Sequence, residues 1–347
     1  MAHIGVVTST PPGAEGGHMV IARALVAALD AHGHQASLIT TPSYPFGQQA
    51  REYWDTWRTD VRAVNGRRVD HIITTRYPSY AVRHPSHVCW LNHTMREYYD
   101  LWERFSDPLS PQGRMKERVR RTLIRAADSH FFFWHVKRMY AQSRTVQARL
   151  RRWNHTSSEV LYPPAPQRAY RCDAYEPFLF VVSRLTPLKR VDLILDALAA
   201  PAAEGVRCVI AGTGDAEAAL RTQASRLGLD SRVTFAGRIS DDALIDYLAR
   251  CRAVVFTPLQ EDYGFVTAEA FASGKAVITT ADAGGPAELV EDSQEGLVTA
   301  PVPDALAVAM ARLWNSPAEA EVMGARALAR SATMQWSRVA EVLGRPL

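Results

Sequence analysis

The sequence predicts an α/β protein made of two successive doubly wound domains, each with a parallel sheet covered by helices on both faces. The chain has 347 residues, which fits two domains of roughly 150–170 residues better than a single core. Short apolar runs alternate with stretches of helical periodicity through the whole chain. A proline-rich segment, residues 163–166, cannot pair as a central strand and separates the two halves.

In the first half, a strand is expected around Val6 and Val7, and the helix after it shows an inward stripe at Ile21, Leu25 and Leu29. Later apolar runs have the length of strands and are separated by longer amphipathic stretches. We predict these further strands at residues 35–40, 70–75, 88–91, 129–133 and 159–162.

The second half repeats this alternation. Ser240 is expected to cap a helix that ends near Arg250, and residues 336–343 to form the last helix. We predict strands at 178–183, 206–211, 233–236, 253–257 and 276–280, and helices at 191–198 and 217–227.

These elements lead us to expect an N-terminal domain at residues 1–165, a second domain at 166–330, and a C-terminal helix within 331–347 that packs back toward the first domain. Residues 163–177 are interpreted as the linker. Because doubly wound sheets bind ligands at the carboxyl ends of their strands, two such domains imply a cleft between them.

Composition excludes several classes of protein. Hydrophobic residues make up 47% and charged residues 22% of the chain, as in ordinary globular proteins. The four cysteines are far apart and form no C-x-x-C pair, so neither a zinc site nor a disulfide framework is indicated. No signal peptide is recognised at Met1, and the apolar runs are too short to span a membrane. We therefore expect a cytoplasmic protein.

The net charge of +4 is mild, but basic residues cluster between positions 114 and 125. This cluster is either a solvated helix face or a contact for an anionic acceptor or membrane surface. We keep peripheral contact with the inner membrane face through the 114–125 helix as an expectation. Nucleic-acid binding is disfavoured, because the charge is mild and no aromatic–basic pattern accompanies it.

The most informative motif is EDYGFVTAE, residues 261–269, which places the carboxylates of Glu261 and Glu269 eight residues apart. A carboxylate can accept hydrogen bonds from two vicinal hydroxyls of a ribose or hexose. A loop that becomes a helix between two such carboxylates offers backbone N–H groups to an anion. A nucleotide-sugar site needs contacts to the sugar, to the phosphate and to the ribose, and this one segment could supply all three.

Two cations, Arg184 and Lys189, follow the first strand of the second half and are therefore expected at a carboxyl strand end. Arginine offers a fork and lysine a point charge, and together they could neutralise a diphosphate. The alternative is that both are exposed surface cations.

Glycines follow strands at two places. Gly16 and Gly17 precede the first helix, where backbone could approach a ligand closely, although a flexible turn is the alternative. Gly212 and Gly214 suggest a dinucleotide loop, but Glu217 stands where the third glycine of G-x-G-x-x-G belongs, so we favour a tight turn beside a nucleotide.

His93 ends a predicted strand of the first half and could touch a transferred sugar, or it could be a structural histidine. No group of His, Cys, Asp or Glu has the spacing of a metal site, so no metal or cofactor is expected.

Taken together, these residues resemble the retaining glycosyltransferases of family 4, whose E-x7-E signature matches Glu261 to Glu269. The glycine loop at 16–17, the cations at 184 and 189, the 212–214 turn, GRIS at 237–240, and GGPAE at 284–288 occur in the family's order. Residues 92–100 also resemble bacterial mannosyltransferase-like members. The resemblance implies the GT-B fold, in which two Rossmann-like domains face each other across a cleft.

The resemblance also implies roles for individual residues. Glu269 would hold the ribose of the donor, Glu261 the transferred hexose, and Arg184 and Lys189 the leaving diphosphate. Gly16 and Gly17 would help to bind the diphosphate, and Gly212 and Gly214 would form a turn beside the nucleotide. The main chain at Arg238 and Ile239 would contact the base, and His93 would contact the sugar. The backbone amides of Tyr263, Gly264, Phe265 and Val266 would line the sugar and the phosphate.

The chain departs from the family's usual pattern at four positions, Ser183, Arg190, Tyr263 and Lys275. None of these removes a charge or donor that the chemistry needs. Asp262 and Arg190 are expected to influence which sugar is accepted, which leaves the identity of the donor open.

The expected function is retaining transfer of a hexose from a UDP- or GDP-sugar to a hydroxyl of a saccharide, lipid-linked or natural-product acceptor. Two alternatives stay open, a nucleotide-sugar epimerase of the same architecture and a non-catalytic nucleotide-sugar-binding protein.

Overall fold

The structure is a computed structural model and describes residues 1–10 and 17–346. These residues form two compact units. The first comprises Met1–Pro163 together with Gln335–Leu347, and the second comprises Pro164–Met334. Within the described ranges, no helix is both long and apolar enough to cross a bilayer.

The first unit contains a six-stranded parallel sheet of order β2-β1-β5-β6-β7-β8. The strand order reverses between β1 and β5, as in flavodoxin-like sheets. A short antiparallel hairpin, β3–β4, lies outside this sheet. The strands are β1 (His3–Ser9), β2 (Gln35–Thr41), β3 (Ala63–Val64), β4 (Arg67–Arg68), β5 (His71–Thr74), β6 (His87–Leu91), β7 (Arg138–Ala141) and β8 (Glu159–Val160).

Helices cover this sheet because their apolar positions recur on one face. In the first helix, Ile21, Leu25 and Leu29 are at most 2% exposed, which confirms the predicted inward stripe. The helices of this part of the chain are α1 (Gly17–Ala31), α2 (Gln49–Arg58), α3 (Trp102–Ser106), α4 (Pro111–Trp134) and α5 (Arg144–Arg149).

The predicted strand at residues 129–133 is wrong, since this segment forms the last turns of α4. Ser110 caps α4 by accepting a hydrogen bond from the amide of Gly113, and Pro111 begins it. The buried positions Ile124, Asp128 and Phe132 recur at a spacing of four, which is a helical period. The sheet position is taken instead by β7, five residues further on.

Asp128 explains why α4 turns this face inward. Its buried carboxylate accepts hydrogen bonds from the hydroxyls of Tyr53 and Tyr80, and from that of Tyr99 at 2.6 Å. Burial raises the pKa of Asp128 to about 6, and the three hydroxyls oppose that rise. In the helix, Ile124, Asp128 and Phe132 follow one another at about one turn each, so all three reach the same core.

The second unit contains a parallel sheet of order β11-β10-β9-β12-β13-β14. The order is that of a Rossmann sheet, and it reverses between β9 and β12. The strands are β9 (Leu179–Val182), β10 (Cys208–Ala211), β11 (Val233–Gly237), β12 (Ala253–Val255), β13 (Val277–Thr280) and β14 (Gly296–Thr299).

The helices of the second unit include three that the sequence predicts closely, α6, α7 and α8. Ser240 caps α8 by accepting a hydrogen bond of 3.2 Å from the amide of Ala243, and α8 ends at Arg250 as expected. The helices are α6 (Val191–Ala199), α7 (Glu217–Arg226), α8 (Asp241–Arg250), α9 (Phe265–Ala272), α10 (Gly285–Leu289), α11 (Pro303–Asn315) and α12 (Pro317–Ser331).

The final helix, α13 (Trp336–Leu343), returns to the first unit and packs against α1. A ring nitrogen of His71, Nε2, lies 2.9 Å from the carbonyl oxygen of Leu343. Because a carbonyl only accepts, Nε2 carries the proton and Nδ1 accepts from the hydroxyl of Ser86 at 2.8 Å.

Residues after 168 do not form a free linker, contrary to the prediction for 163–177. The amide of Asp173 donates to the carbonyl of Ala249 at 2.9 Å, and the hydroxyl of Tyr175 donates to the carbonyl of Gly274 at 2.7 Å. This segment is therefore an integral part of the second unit. The prediction of two doubly wound domains is confirmed.

Candidate functional site

The loops after β9 and β12 leave neighbouring strands of the second sheet at the point where the strand order reverses. Connections diverge at such a point and leave a crevice at the carboxyl edge, where ligands of doubly wound sheets bind. The first loop carries Lys189 and the second carries Glu261. The two side chains form an ion pair, with 2.7 Å between Nζ and Oε2. The structure thus brings together two predicted site residues that are 72 positions apart.

Both partners of this pair are only partly screened from water, with side chains 17% and 21% exposed. The ammonium of Lys189 also lies 5.3 Å from the ring centroid of Phe256, within range of a cation–π contact. Arg184 lies exposed in the same loop, and no ion pair joins it to any residue in the described ranges. The loops at this edge therefore carry two cations and one carboxylate, of which Lys189 and Glu261 are in contact.

Arg190, the residue after Lys189, is held entirely by protein groups. Its guanidinium donates to both carboxylate oxygens of Asp282 at 2.7 Å, and to the carbonyls of Thr257 and Pro258 at 2.8 and 2.9 Å. Partial burial raises the pKa of Asp282, but hydrogen bonds from Arg190 and a threonine hydroxyl hold that pKa below its usual value. Arg190 thus ties together the loops after β9, β12 and β13.

The backbone around Glu261 is fixed by the loop after β13. The amide of Glu261 donates to the carbonyl of Ala283 at 2.7 Å, and its carbonyl accepts from the amide of Gly285 at 2.9 Å. Gly284 has φ +76°, and a Cβ there would meet the carbonyl oxygen of Glu261 at 2.5 Å. Glycine at 284 is therefore required both by its backbone angle and by this close approach.

The turn into α9 is made by Gly264, whose φ of +82° lies in the left-handed region. A Cβ there would come within 2.8 Å of Pro286. The side chain of Tyr263 is buried and packs edge-on against Phe265, so at this position only the backbone can face a ligand. The first amides of α9, which include those of Phe265 and Val266, have no acceptor within the helix, and amides in this position can bind an anion.

Glu269 lies buried in α9, with 6% of its surface exposed. It accepts hydrogen bonds from the guanidinium of Arg168 and from the hydroxyl of Tyr170, the latter at 3.1 Å. Arg168 also binds both carboxylate oxygens of Asp241, at 2.9 and 3.2 Å. Burial raises the pKa of Glu269, and the charge of Arg168 offsets part of that rise.

Sequence reasoning missed Arg168 and Tyr170 because both lie in the segment interpreted as a linker. Arg168 reaches partners 73 and 101 positions away, and no local pattern signals contacts over such separations. The sequence signal that remains is Glu269 itself, a carboxylate in an otherwise apolar and small-residue segment, which needs a cation or a donor when it is buried.

The glycines at 212 and 214 are needed by a contact between two loops. A Cβ at Gly212 would lie 1.8 Å from the carbonyl oxygen of Ser183, and one at Gly214 would lie 2.4 Å from that of Leu185. The amide of Leu185 donates to the carbonyl of Thr213 at 2.9 Å. This turn therefore supports the loop that carries Arg184, whatever else it contacts.

Arg238 and Ile239 follow β11 and precede the cap of α8, close in sequence to Asp241, the second partner of Arg168. Arg238 is exposed and Ile239 is half-buried. The guanidinium of Arg168 consequently links the start of α8 to Glu269.

Two predicted residues of the first unit lie at the carboxyl edge of its own sheet. Gly17 is the first residue of α1, and His93 follows β6, where its Nδ1 donates to the carbonyl of Thr94 at 2.8 Å. Gly16 lies outside the described residues. In residues 1–10 and 17–346, no three His, Cys, Asp or Glu side chains cluster as a metal ion would require.

Residues 167–330 match the model of the family Glycosyl transferases group 1. The second unit is therefore similar in sequence to the group 1 glycosyltransferases over almost its whole length. All the residues of the ion pair, the Arg190 network and the Glu269 cluster fall within this match.

Curated relatives bear other names from the same class of enzyme. The chain is 34% identical to the D-rhamnosyltransferase WbpZ of Pseudomonas aeruginosa over 175 residues, which are 49% of this chain and 45% of that protein. It is 30% identical to the D-inositol 3-phosphate glycosyltransferase of Nocardia farcinica over 200 residues, 52% of this chain and 43% of that protein. The chain thus spans less than half the length of these relatives.

Solved structures show the same fold over the whole chain. Sucrose-phosphate synthase from Thermosynechococcus elongatus superposes with a TM-score of 0.78 at 18% identity, covering 98% of this chain and 97% of that one. HepE from Anabaena in complex with UDP-glucose gives 0.71 at 18% identity, covering 98% of each chain. At these identities the likeness concerns the fold, and the predicted GT-B class, with two Rossmann-like domains, is confirmed.

Proposed function

We propose that the protein is a glycosyltransferase that moves a hexose from a nucleotide-diphosphate sugar to an acceptor hydroxyl. The observation that carries the proposal is the Lys189–Glu261 pair at the reversal point of a Rossmann-type sheet, inside the segment that matches the group 1 glycosyltransferases. The pair supplies a cation for phosphate and a carboxylate for sugar hydroxyls within one small region.

In this proposal, negative charge builds up on the departing diphosphate. Arg184, Lys189 and the amides at the start of α9 stabilise it, because preplaced donors need no reorganisation during the reaction. Glu261 binds hydroxyls of the hexose, and Glu269 binds the ribose. The two cations supply the positive charge, and no bound metal or cofactor forms part of the proposal.

We propose transfer with retention of the anomeric configuration, in which the leaving phosphate accepts the proton of the acceptor hydroxyl. Proton NMR of the product tests this, because an inverted anomer would contradict it. The roles of Gly16, Gly17 and His93 stay predictions, as does the turn at Gly212 and Gly214 beside the nucleotide.

The donor is proposed to be a UDP- or GDP-hexose. HepE from Anabaena, which shares the fold, was solved with UDP-glucose bound, and this supports a uridine donor. A 105-residue match, 31% identical, to the α-1,3/1,6-mannosyltransferase ALG2 of Dictyostelium discoideum supports the mannosyltransferase-like branch. Acceptor classes remain a saccharide, a lipid-linked saccharide or a natural product, in the cytoplasm or at the inner membrane face.

Calorimetric titration with UDP, GDP and their hexose conjugates tests the donor site directly. We expect one nucleotide series to bind, and we expect Lys189→Met to weaken binding of the diphosphate. Lys137→Met is the matched control, because it removes an exposed lysine from the first unit. If none of these compounds binds the wild-type chain, the proposal is wrong.

The same preparation discriminates the two alternatives. An epimerase would convert the donor sugar with no acceptor present, and a binding protein would bind the donor without turnover under any acceptor. Neither alternative is favoured by an observation on this chain.

A further inference from the structure

A row of exposed apolar side chains runs along α4. Met115, Val119 and Leu123, at a spacing of four, are 59%, 55% and 64% exposed. The final turn adds Phe133 and Trp134, at 74% and 63%. Single exposed apolar residues are ordinary on protein surfaces, whereas large apolar side chains clustered on an exposed face, as in the first half and the last turn of this helix, mark an interaction site.

The row lies opposite the buried face of the same helix. A helix turns about 100° per residue, so Met115, Val119 and Leu123 fall on the side away from Ile124 and Asp128. Lys116 and Arg118 flank the row on its two sides. Both are exposed, and no ion pair holds either of them among the described residues. The helix therefore presents an apolar stripe between cations.

A cationic hollow of about 310 Å³ adjoins the end of this helix. No carboxylate lines it, and three of its lining residues, Arg62, Arg83 and Lys137, carry positive charge. Those three side chains form no ion pair with any residue in the ranges that the structure describes. The other lining residues are His84, Pro85, Trp134 and His135.

Two of these residues are already engaged. The guanidinium of Arg83 lies 4.1 Å from the ring centroid of Trp57, which holds it in place. Both ring nitrogens of His84 contact backbone carbonyls, those of Ser86 and Val69, at 2.9 and 3.1 Å. The hollow is thus a preformed cationic surface, and Trp134 belongs both to it and to the apolar row.

The hollow lies away from the predicted site residues of the first unit. His84 and Lys137 come just before β6 and β7, so they lie at the amino edge of the sheet, whereas His93 follows β6 at the carboxyl edge. A ligand in the hollow would leave the carboxyl edge of this sheet accessible.

We infer that α4 and the hollow form one docking surface for an anionic lipid bilayer. The apolar stripe enters the boundary between headgroups and acyl chains, and the hollow takes a phosphate headgroup. A nucleic acid or an acidic protein would match the cations but not the central apolar row. The inference gives a surface to the membrane contact that the sequence suggests at residues 114–125. It does not depend on transferase activity.

Cosedimentation of the full chain with vesicles tests the inference. We expect binding to vesicles of phosphatidylcholine with phosphatidylglycerol, and weak binding to phosphatidylcholine alone. Each cation near an anionic surface strengthens binding about fivefold, so Arg62→Gln with Lys137→Gln should weaken it about 25-fold. The matched control, Arg207→Gln with Arg226→Gln, removes two exposed arginines from the second unit and should leave it unchanged.

A second variant, Val119→Ser with Leu123→Ser, removes apolar surface without changing charge and should also abolish most binding. All substituted side chains are exposed, so far-UV circular dichroism should report an intact fold. Equal loss in the arginine control, equal binding to neutral vesicles, or uptake of inorganic phosphate without vesicle binding would each overturn the inference. Self-association that disappears in the serine variant would overturn it too, since a second copy would then be the occupant.

Discussion

Lys189 and Glu261 are joined by a hydrogen-bonded ion pair of 2.7 Å that links the loops after two neighbouring strands of the second sheet. A cation and a carboxylate in contact restrict each other's rotamers. In the proposed function, a bound donor would separate the pair, with the ammonium contacting the diphosphate and the carboxylate contacting sugar hydroxyls.

Replacing Lys189 by methionine should lower the turnover number by about 10²–10³-fold, or about 2.7–4 kcal/mol of barrier, which is typical for loss of one electrostatic donor. Steady-state transfer rates measure this, with Arg207→Met as the control because Arg207 is an exposed cation of the second unit outside the candidate site. The free energy of unfolding should change little by comparison, because the pair is partly exposed to solvent. Near wild-type turnover in the Lys189 variant would remove the phosphate role.

Gly284→Ala should destabilise the second unit, because the new Cβ would lie 2.5 Å from the carbonyl oxygen of Glu261 in a backbone with φ +76°. Gly228→Ala is the matched control. Its φ is +71°, but nothing lies within 4 Å of its Cβ position. We expect at least about 1 kcal/mol more loss in the first variant than in the second. Urea unfolding measures the difference, and equal losses would show that backbone angle alone sets the cost.

The sequence predicts the second unit's sheet well, because its strands are short apolar runs bounded by turn residues. It fails at 129–133, because the apolar run at residues 131–134 looks the same in a buried strand and at the end of a helix. Only the tyrosines that meet Asp128 from distant positions decide between them.

In the candidate site, too, the sequence predicts some features and only the folded structure shows the others. The residue types of the 261–269 motif and the cations after β9 are readable from spacing and strand order. Their contacts are not, because Arg190 and Arg168 reach partners that become neighbours only when the sheet forms. From the sequence, Arg190 is a candidate determinant of sugar choice because it departs from the family pattern. In the structure, the guanidinium of Arg190 instead binds the loops after β12 and β13.

Arg168→Gln should make nucleotide binding depend on pH. Burial raises the pKa of Glu269, and Arg168 counteracts this, so losing the guanidinium raises the pKa further. In its proposed role, Glu269 can accept hydrogen bonds from both ribose hydroxyls only when it is ionised, so the affinity for nucleotide should fall as pH decreases. The midpoint of this fall should lie at a higher pH in the Arg168→Gln variant than in the wild type. Calorimetric dissociation constants for UDP or GDP between about pH 5 and 8 check this.

Arg168→Lys serves as the conservative variant, since it keeps the charge and should restore most of the wild-type pH profile. Unfolding free energies of the two variants separate a fold effect from a site effect. A glutamine variant whose affinity is lowered equally at every pH would argue that Arg168 acts only through packing.

His71→Gln should remove a pH-dependent loss of stability. Burial lowers the pKa of His71 to about 4, against an ordinary value of 6.5. The unfolded chain therefore takes up a proton first as pH falls, and the wild type loses stability from about pH 6.5 down to about pH 4 through this residue. A shift of this size corresponds to about 3 kcal/mol.

Glutamine can still donate to the carbonyl of Leu343 without titrating, so α13 stays attached. Urea unfolding at several pH values measures both chains. Other groups contribute to each curve, Asp128 among them, so the difference between the two chains is the informative quantity. That difference should grow in favour of the variant as pH falls below about 6.5, and parallel curves would show that His71 is not buried in its neutral form.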